Sequence, residues 1–273
     1  MKLLPQLLTS ILMLASLSSF AETLDVAIPG AVGNLAAIIQ KPEIQAGEKV
    51  PMVIICHGFT GNKAERLLVA IADSLQSKGI ASIRFDFDGH GQSDGDFQNM
   101  TVPLEVIDAQ CVYNYAASLP YVSEIGMVGH SQGGVVTAME AGNLGADKIK
   151  AVALLAPAAV LRDDALRGTI MGVNYDPHNV PDGIKIFGNR TLGRDYVLSA
   201  QTLPIYETAR LYTGKALIIH GTYDVIVPYT YGQRFHYLWP DSEMILLPKA
   251  DHGFRNNIKE VAAMVANFMK AQL

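Results

Sequence analysis

The sequence has few of the residues that build a disulfide scaffold or a nucleic-acid surface. Only two of its 273 residues are cysteines, which are too few for a disulfide framework. It carries 21 Lys and Arg against 26 Asp and Glu without any basic run, so nucleic acid is disfavoured as a partner. Charged residues are scarce at 17% of the chain, whereas hydrophobic residues make up 49%. This balance is typical of one globular domain with a large core.

The two cysteines are interpreted as free thiols. Cys56 ends an apolar, strand-like run and Cys111 falls within a helical pattern, so both are expected to be buried as small hydrophobic side chains. A disulfide between them stays open as the alternative if the chain reaches an oxidising compartment.

Long hydrophobic runs are absent except near the N-terminus, where residues 1–21 have the features of a secretory signal peptide. Lys2 supplies the positive charge, residues 7–17 supply a short apolar segment, and small residues precede a cleavage site after Ala21. A membrane anchor is the alternative, although the segment is shorter than the ~20 residues that a spanning helix needs. The sequence therefore predicts an exported protein, periplasmic or extracellular, whose mature domain covers residues 22–273.

Short apolar runs alternate with longer helical patterns along that domain. The alternation predicts an α/β fold, in which a mostly parallel eight-stranded sheet has helices on both faces and an antiparallel edge formed by its first two strands. Strands are predicted at 24–28, 34–40, 51–56, 80–86, 124–129, 151–156, 216–220 and 243–247, and helices at 63–77, 102–118, 132–145, 229–238 and 255–271.

One segment interrupts this alternation. Residues 158–213 separate two predicted strands and are far longer than the dozen or so residues that a crossover needs. Loops of this length are usually lids or binding elements, so we interpret the segment as an inserted lid. The alternative is an insertion that only covers the sheet.

The stretch GHSQG at 129–133 places Ser131 between two glycines, after a predicted strand and before a predicted helix. A sharp strand-to-helix turn of this kind exposes the serine hydroxyl above the sheet, where a helix N-terminus favours negative charge. The pattern is weak alone but becomes specific in this context, and it predicts a nucleophile.

A serine nucleophile needs a base, and the base needs an acid. His252 follows the last predicted strand, at the carboxyl edge of the sheet where open α/β sheets collect their reactive groups. Asp224 also follows a strand and is preferred as the acid over Asp251, because side chains of sequence neighbours rarely point at each other. The order Ser131, Asp224, His252 is the order expected of a nucleophile, acid and base on this fold.

The oxyanion of an acyl-transfer intermediate needs two backbone donors. One is the amide of Gln132, which follows the nucleophile. The other is predicted at Phe59, in the loop after the third strand, where Gly58 lets the backbone turn inward.

Three segments together resemble the bacterial cinnamoyl and feruloyl esterases of the α/β-hydrolase fold. They are HGFTGNKAERLLVAIADSL, IRFDFDGHGQSDGDFQNMTVPLEVIDA and the GHSQGGVV turn, within a similarity that spans about residues 50–270. The resemblance implies a Ser-His-Asp esterase without cofactor or metal, whose only partner need be a small aromatic ester. It further implies that Asp163 or Asp164, together with Tyr196, could bind the phenolic hydroxyls of a ferulate or caffeate group.

Other functions remain open at this point. The same scaffold carries short-chain carboxylesterases, thioesterases, lipases and peptidases, so fold alone does not select the substrate. A binding module without catalysis would not require serine, histidine and aspartate at three separate strand ends. The sequence does not distinguish a monomer from a homodimer.

Overall fold

The computed structural model describes the chain from residue 21 to 273, together with the backbone of residues 18 and 19. Nearly all of the predicted signal peptide, residues 1–21, lies outside these described residues. None of the described helices is long and apolar enough to cross a membrane. The cysteines are free thiols, with Cys56 buried and Cys111 partly buried, which agrees with the free-thiol interpretation.

An eight-stranded sheet forms the centre of the molecule. Its strands are β1 Glu22–Pro29, β2 Asn34–Lys41, β3 Val50–Cys56, β4 Ala81–Phe85, β5 Val122–His130, β6 Ile149–Leu155, β7 Lys215–Gly221 and β8 Glu243–Leu247. Their order across the sheet is β8-β7-β6-β5-β3-β4-β2-β1. Strand β2 pairs antiparallel with both β1 and β4, and the remaining pairs are parallel. The predicted fold class, the eight strands and the antiparallel edge are thereby confirmed.

Helices cover both faces of this sheet because its central strands are apolar on both sides. The helices are α1 Arg66–Gln76, α2 Val102–Ser118, α3 Gln132–Leu144, α4 Val160–Arg167, α5 Arg194–Gln201, α6 Ile205–Ala209, α7 Thr230–Leu238 and α8 Ile258–Gln272. Helices α1 and α8 pack with the sheet into one apolar cluster, while α2 to α7 pack into the other.

Two predicted helices begin three residues later than expected. Helix α1 begins at Arg66 rather than at residue 63, because Asp86 holds Lys63 outside the helix. The Asp86 carboxylate accepts a hydrogen bond from the Lys63 backbone N–H at 2.6 Å and forms an ion pair with the Lys63 side chain at 2.5 Å. Helix α8 begins at Ile258 rather than at residue 255, because Asp251 holds both the backbone and the guanidinium of Arg255. In both cases an aspartate side chain outside the helix holds the preceding backbone in a loop.

The segment predicted as a lid contains regular structure of its own. Between β6 and β7 it forms α4, two short hairpins, α5 and α6. The hairpins pair Thr169–Ile170 with Val173–Asn174 and Gly183–Lys185 with Thr191–Gly193. Leu192 and Val197 from this segment are fully buried in the larger apolar cluster, so the lid is packed onto the body of the domain.

Candidate active site

Ser131 occupies a sharp turn between β5 and α3. Its φ of 56° lies in the left-handed region that side chains rarely adopt, and its backbone N–H is anchored to the Leu155 carbonyl at 2.9 Å. A Cβ at Gly129 would lie 2.1 Å from the Gly133 carbonyl oxygen, and one at Gly133 would lie 2.3 Å from that of His57. Only glycine fits on either side of the serine, which explains the sequence pattern that predicted this turn.

The structure brings Ser131, His252 and Asp224 together. His252 Nε2 lies 2.9 Å from Ser131 Oγ, and His252 Nδ1 lies 2.7 Å from Asp224 Oδ2. A carboxylate oxygen can only accept a hydrogen bond, so His252 Nδ1 carries the proton and donates a hydrogen bond to Asp224. Nε2 is therefore free to accept a hydrogen bond from the serine hydroxyl. Residues 28 and 121 positions apart in sequence thus form one hydrogen-bonded chain.

Asp224 is held as an anion. Its other oxygen, Oδ1, accepts from the backbone N–H groups of Ile226 at 2.9 Å and Val227 at 2.8 Å. Burial by itself would raise the pKa of this carboxyl, but hydrogen bonds from His220 and His252 and from the Val227 amide hold the pKa well below its ordinary value. A negative charge at this position stabilises the imidazolium that forms when His252 takes a proton.

The two predicted oxyanion donors lie on adjacent backbone segments. A Cβ at Gly58 would lie 3.0 Å from Ser131 Cβ, so the loop that carries Phe59 passes directly beside the serine. Within the described part of the chain, neither the Phe59 nor the Gln132 amide donates a hydrogen bond to another protein group. Both N–H groups therefore remain available to an oxyanion at Ser131.

A cleft of about 370 Å³ opens at Ser131 between the sheet edge and the lid. It is lined by apolar and aromatic residues with a few polar groups, which is the usual composition of a small-molecule site. Its lining comprises Phe59, Ser131, Gln132, Ala158, Val160, Leu161, Asp164, Ala165, Thr169, Ile170, Met171, Gly172, Tyr175, Tyr196, Val225, Ile226 and Val227.

The predicted lid residues separate into different environments. Asp164 and Tyr196 line the cleft, but Asp163 does not. Tyr231, on α7, donates to Asp163 Oδ2 at 2.6 Å, so this carboxylate fastens the lid instead of facing the cleft. Because Asp163 and Asp164 are consecutive on α4, they point in different directions, and of these two alternatives the structure places Asp164 in the lining of the cleft.

Tyr175 is a cleft residue that the sequence did not single out. Its hydroxyl is buried and has no hydrogen-bond partner among the described residues. Burial, together with the nearby Asp164 carboxylate, raises the pKa of Tyr175 to about 12. Burial likewise raises the pKa of Asp164, with Arg167 opposing it. A tyrosine within an insertion gives no sequence signal that would distinguish it from the other lid tyrosines.

Comparisons with known proteins show which proteins this chain is similar to. The family described as serine aminopeptidase, S33, matches residues 47–173. Est1E from Butyrivibrio proteoclasticus, solved with bound ferulic acid, is 35% identical with a TM-score of 0.86, over 90% of this chain and 98% of that chain. Mouse palmitoyl-protein thioesterase ABHD10 is 26% identical over 218 residues, or 75% of this chain and 69% of that protein. An uncharacterized 31.7 kDa protein of Escherichia coli is 35% identical over 88 residues, so this chain spans only 30% of that relative's length.

The chain belongs to the α/β-hydrolase family. With a hydrogen-bonded serine, histidine and aspartate at the carboxyl edge of its sheet, it is a serine hydrolase of this fold.

Two further histidines of the hydrolase are buried and hydrogen-bonded near the triad. His57 donates through Nδ1 to the Gly58 carbonyl at 2.8 Å and accepts from the Phe87 amide at 3.1 Å. Burial lowers the pKa of His57 to about 3, so it stays neutral. His130 donates to the His252 carbonyl at 2.9 Å, and burial lowers its pKa to about 4.

His220 is a site residue that the sequence interpretation missed. It is fully buried on β7, and its Nε2 lies 2.9 Å from the Val227 carbonyl and 3.2 Å from Asp224 Oδ2. It therefore contacts the same carboxylate oxygen of Asp224 that accepts from His252. The sequence gives no signal for this contact, because it depends on how the loop after β7 turns back towards the strand.

Proposed function

We propose that this serine hydrolase is a carboxylesterase that cleaves esters of hydroxycinnamic acids such as ferulate, caffeate and p-coumarate. The observation that carries the proposal is that the Tyr175 hydroxyl, which is buried and has no hydrogen-bond partner among the described residues, belongs to the side chain of a residue that lines the same cleft at Ser131 as Asp164. The ferulic acid bound to Est1E, a relative 35% identical, supports the same substrate class.

The cleft suits an aromatic acid with a phenolic hydroxyl. The Phe59 and Tyr196 rings lie 5.7 Å apart between centroids, which provides an aromatic wall for a flat acyl group. A phenol can donate to the Asp164 carboxylate and accept from the Tyr175 hydroxyl. The Tyr175 hydroxyl is buried without a partner among the described residues, so a bound phenol would offset the cost of its burial.

The proposed reaction is a two-step acyl transfer. Ser131 Oγ attacks the ester carbonyl while His252 Nε2 accepts its proton, and the Phe59 and Gln132 amides stabilise the oxyanion. His252 then gives the proton to the departing alcohol, which leaves an acyl group on Ser131. Water, deprotonated by His252, attacks this acyl-enzyme and releases the carboxylic acid.

Thioester hydrolysis is the second candidate, because the mouse relative of 26% identity carries the name palmitoyl-protein thioesterase. The polar groups at Asp164 and Tyr175 argue against a long alkyl chain, since methylene groups against them would leave both desolvated without a partner. A general short-chain carboxylesterase or a peptidase would use the same triad but would not need these two groups.

A panel of purified mature protein with methyl ferulate, methyl caffeate, methyl p-coumarate, nitrophenyl acetate, a long-chain acyl thioester and an anilide tests the proposal. We expect kcat/KM to be highest for the hydroxycinnamates, and Asp164→Leu to reduce that preference about tenfold with little effect on nitrophenyl acetate. A preference for the thioester or the anilide would overturn the proposed substrate class.

We also propose that residues 1–21 direct the protein out of the cytoplasm, to the periplasm or the extracellular space. The support is the pattern of one lysine, a short apolar segment and small residues before the cleavage site. N-terminal sequencing of the protein recovered from the periplasm or medium should begin at Glu22. An intact N-terminus on a cytoplasmic protein would contradict this.

A further inference from the structure

Three buried side chains from three helices form a hydrogen-bonded chain beneath the cleft. Gln132 Nε2, on α3, donates to both carboxylate oxygens of Glu105 on α2, at 2.8 and 3.0 Å. Gln132 Oε1 in turn accepts from the Tyr196 hydroxyl of lid helix α5 at 2.7 Å. The exposed fractions of Glu105, Gln132 and Tyr196 are 2%, 2% and 3%.

Gln132 links the nucleophile turn to the lid. It directly follows Ser131, and its backbone amide is the proposed oxyanion donor, while its side chain holds Tyr196 in the wall of the cleft. Gln132 has one amide oxygen and one amide nitrogen to use, and each has a single protein partner. The orientation of this side chain is therefore set by Glu105 on one side and by Tyr196 on the other.

Glu105 has no other role visible in its contacts. Among the described residues, its carboxylate has Gln132 as its sole hydrogen-bond partner. Burial raises the pKa of Glu105 to about 8, with the Gln132 hydrogen bond opposing this and the Asp108 charge adding to it. A carboxyl group in such a position is costly compared with an apolar side chain of similar size, which indicates a function beyond filling space.

We propose that Glu105 is a positioning residue which, through the Gln132 side chain, fixes lid residue Tyr196 against the aromatic part of the substrate. Without the carboxylate the Gln132 amide can rotate and offer its nitrogen to Tyr196, and the tyrosine then loses its acceptor. The inference rests on the proposed hydrolysis of aromatic esters at Ser131. Glu105 itself contacts neither the substrate nor the triad and acts only through Gln132.

The test compares kcat/KM for nitrophenyl ferulate with that for nitrophenyl acetate, whose acyl group is too small to reach the lid. Glu105→Leu and Tyr196→Phe should each lower the ferulate-to-acetate ratio about tenfold, the effect of losing one buried hydrogen bond. The double variant should lower it no further, because both changes break the same chain. Glu105→Gln should restore most of the ratio, since its oxygen can still accept from Gln132.

Asp108→Asn is the matched control. Asp108 is also a buried acid on α2, but it accepts from the Ala31 and Asp88 amides and does not contact Gln132. It should lower the melting temperature without changing the ratio. A Glu105→Leu variant that reduces both activities equally, or an additive double variant, would overturn the inference.

Thermal unfolding of the same variants provides a readout that needs no substrate. The shifts in melting temperature from Glu105→Leu and Tyr196→Phe should be strongly less than additive, and additive shifts would contradict the linkage. If the wild-type protein shows no preference for feruloyl esters, the proposed function fails, while this unfolding cycle still decides whether the three side chains act as a unit.

Discussion

At the scale of single residues, the nucleophile turn depends on two glycines, which have no side chain. Gly129 and Gly133 pass so close to neighbouring backbone that any Cβ would collide, and Ser131 is held at a φ of 56°. This steric requirement concerns residues that are close together in the sequence, so the sequence alone could predict it. The contact of His220 with Asp224 could not be predicted in this way, because it depends on how the loop after β7 turns back.

Replacing Gly133 with alanine tests this steric account. The new Cβ would lie 2.3 Å from the His57 carbonyl oxygen and 2.5 Å from that of Cys56, and backbone atoms cannot move aside cheaply. We expect Gly133→Ala to lower the free energy of unfolding by about 2–3 kcal/mol and to abolish most activity. Chemical denaturation and ester hydrolysis measure the two effects.

Gly253→Ala is the control for this change. Gly253 adjoins His252, yet an added Cβ would find its nearest atom at 3.8 Å, on the Arg255 side chain. The control should keep nearly full activity and stability. Equal damage from both substitutions would show that the tight packing at Gly133 is not the cause.

At the scale of elements, the strands of the sheet could be predicted from the sequence, but the helices and hairpins of the lid could not. The strands of the sheet are continuous apolar runs, so their positions could be predicted to within about two residues, an ordinary error for element ends. The lid helices are short and are held by contacts with distant residues, such as that between Arg162 and Glu207 at 3.3 Å. Neither their existence nor the direction of Asp163 follows from local pattern.

The hydrogen bond between Tyr231 and Asp163 fastens α4 to α7 and can be removed from either end. Asp163→Asn and Tyr231→Phe should each raise KM for nitrophenyl ferulate a few-fold and leave kcat nearly unchanged, since about 1 kcal/mol of lid anchoring is lost. The double variant should match the single variants. A large fall in kcat for Asp163→Asn alone would contradict this account, because it would show that Asp163 contacts the substrate.

At the scale of the whole molecule, several buried acids couple stability to pH. Burial raises the pKa of Glu105 to about 8, of Glu140 to about 7 and of Asp108 to about 6. The folded protein therefore keeps protons that the unfolded chain releases, starting near the ordinary value of 4.5 for glutamate. The contribution of these groups to the free energy of unfolding is fully present below that pH and is lost as the pH rises towards 8.

Glu140→Gln isolates one of these contributions, because Glu140 lies on α3 with one oxygen unpartnered and contacts no residue of the triad. The variant should gain on the order of 2 kcal/mol relative to wild type between pH 5 and about pH 8. Denaturant titrations across this range measure the gain. The exposed Glu43→Gln serves as control, and parallel curves for wild type and Glu140→Gln would contradict the account.

Mass spectrometry of the acyl-enzyme tests the central claim most directly. Wild-type protein mixed with nitrophenyl ferulate and quenched in acid should carry one feruloyl group on the peptide that contains Ser131. Ser131→Ala should carry none and lose activity by about 10⁶-fold. Sustained ester hydrolysis by Ser131→Ala, or a feruloyl group found on another residue, would contradict the account.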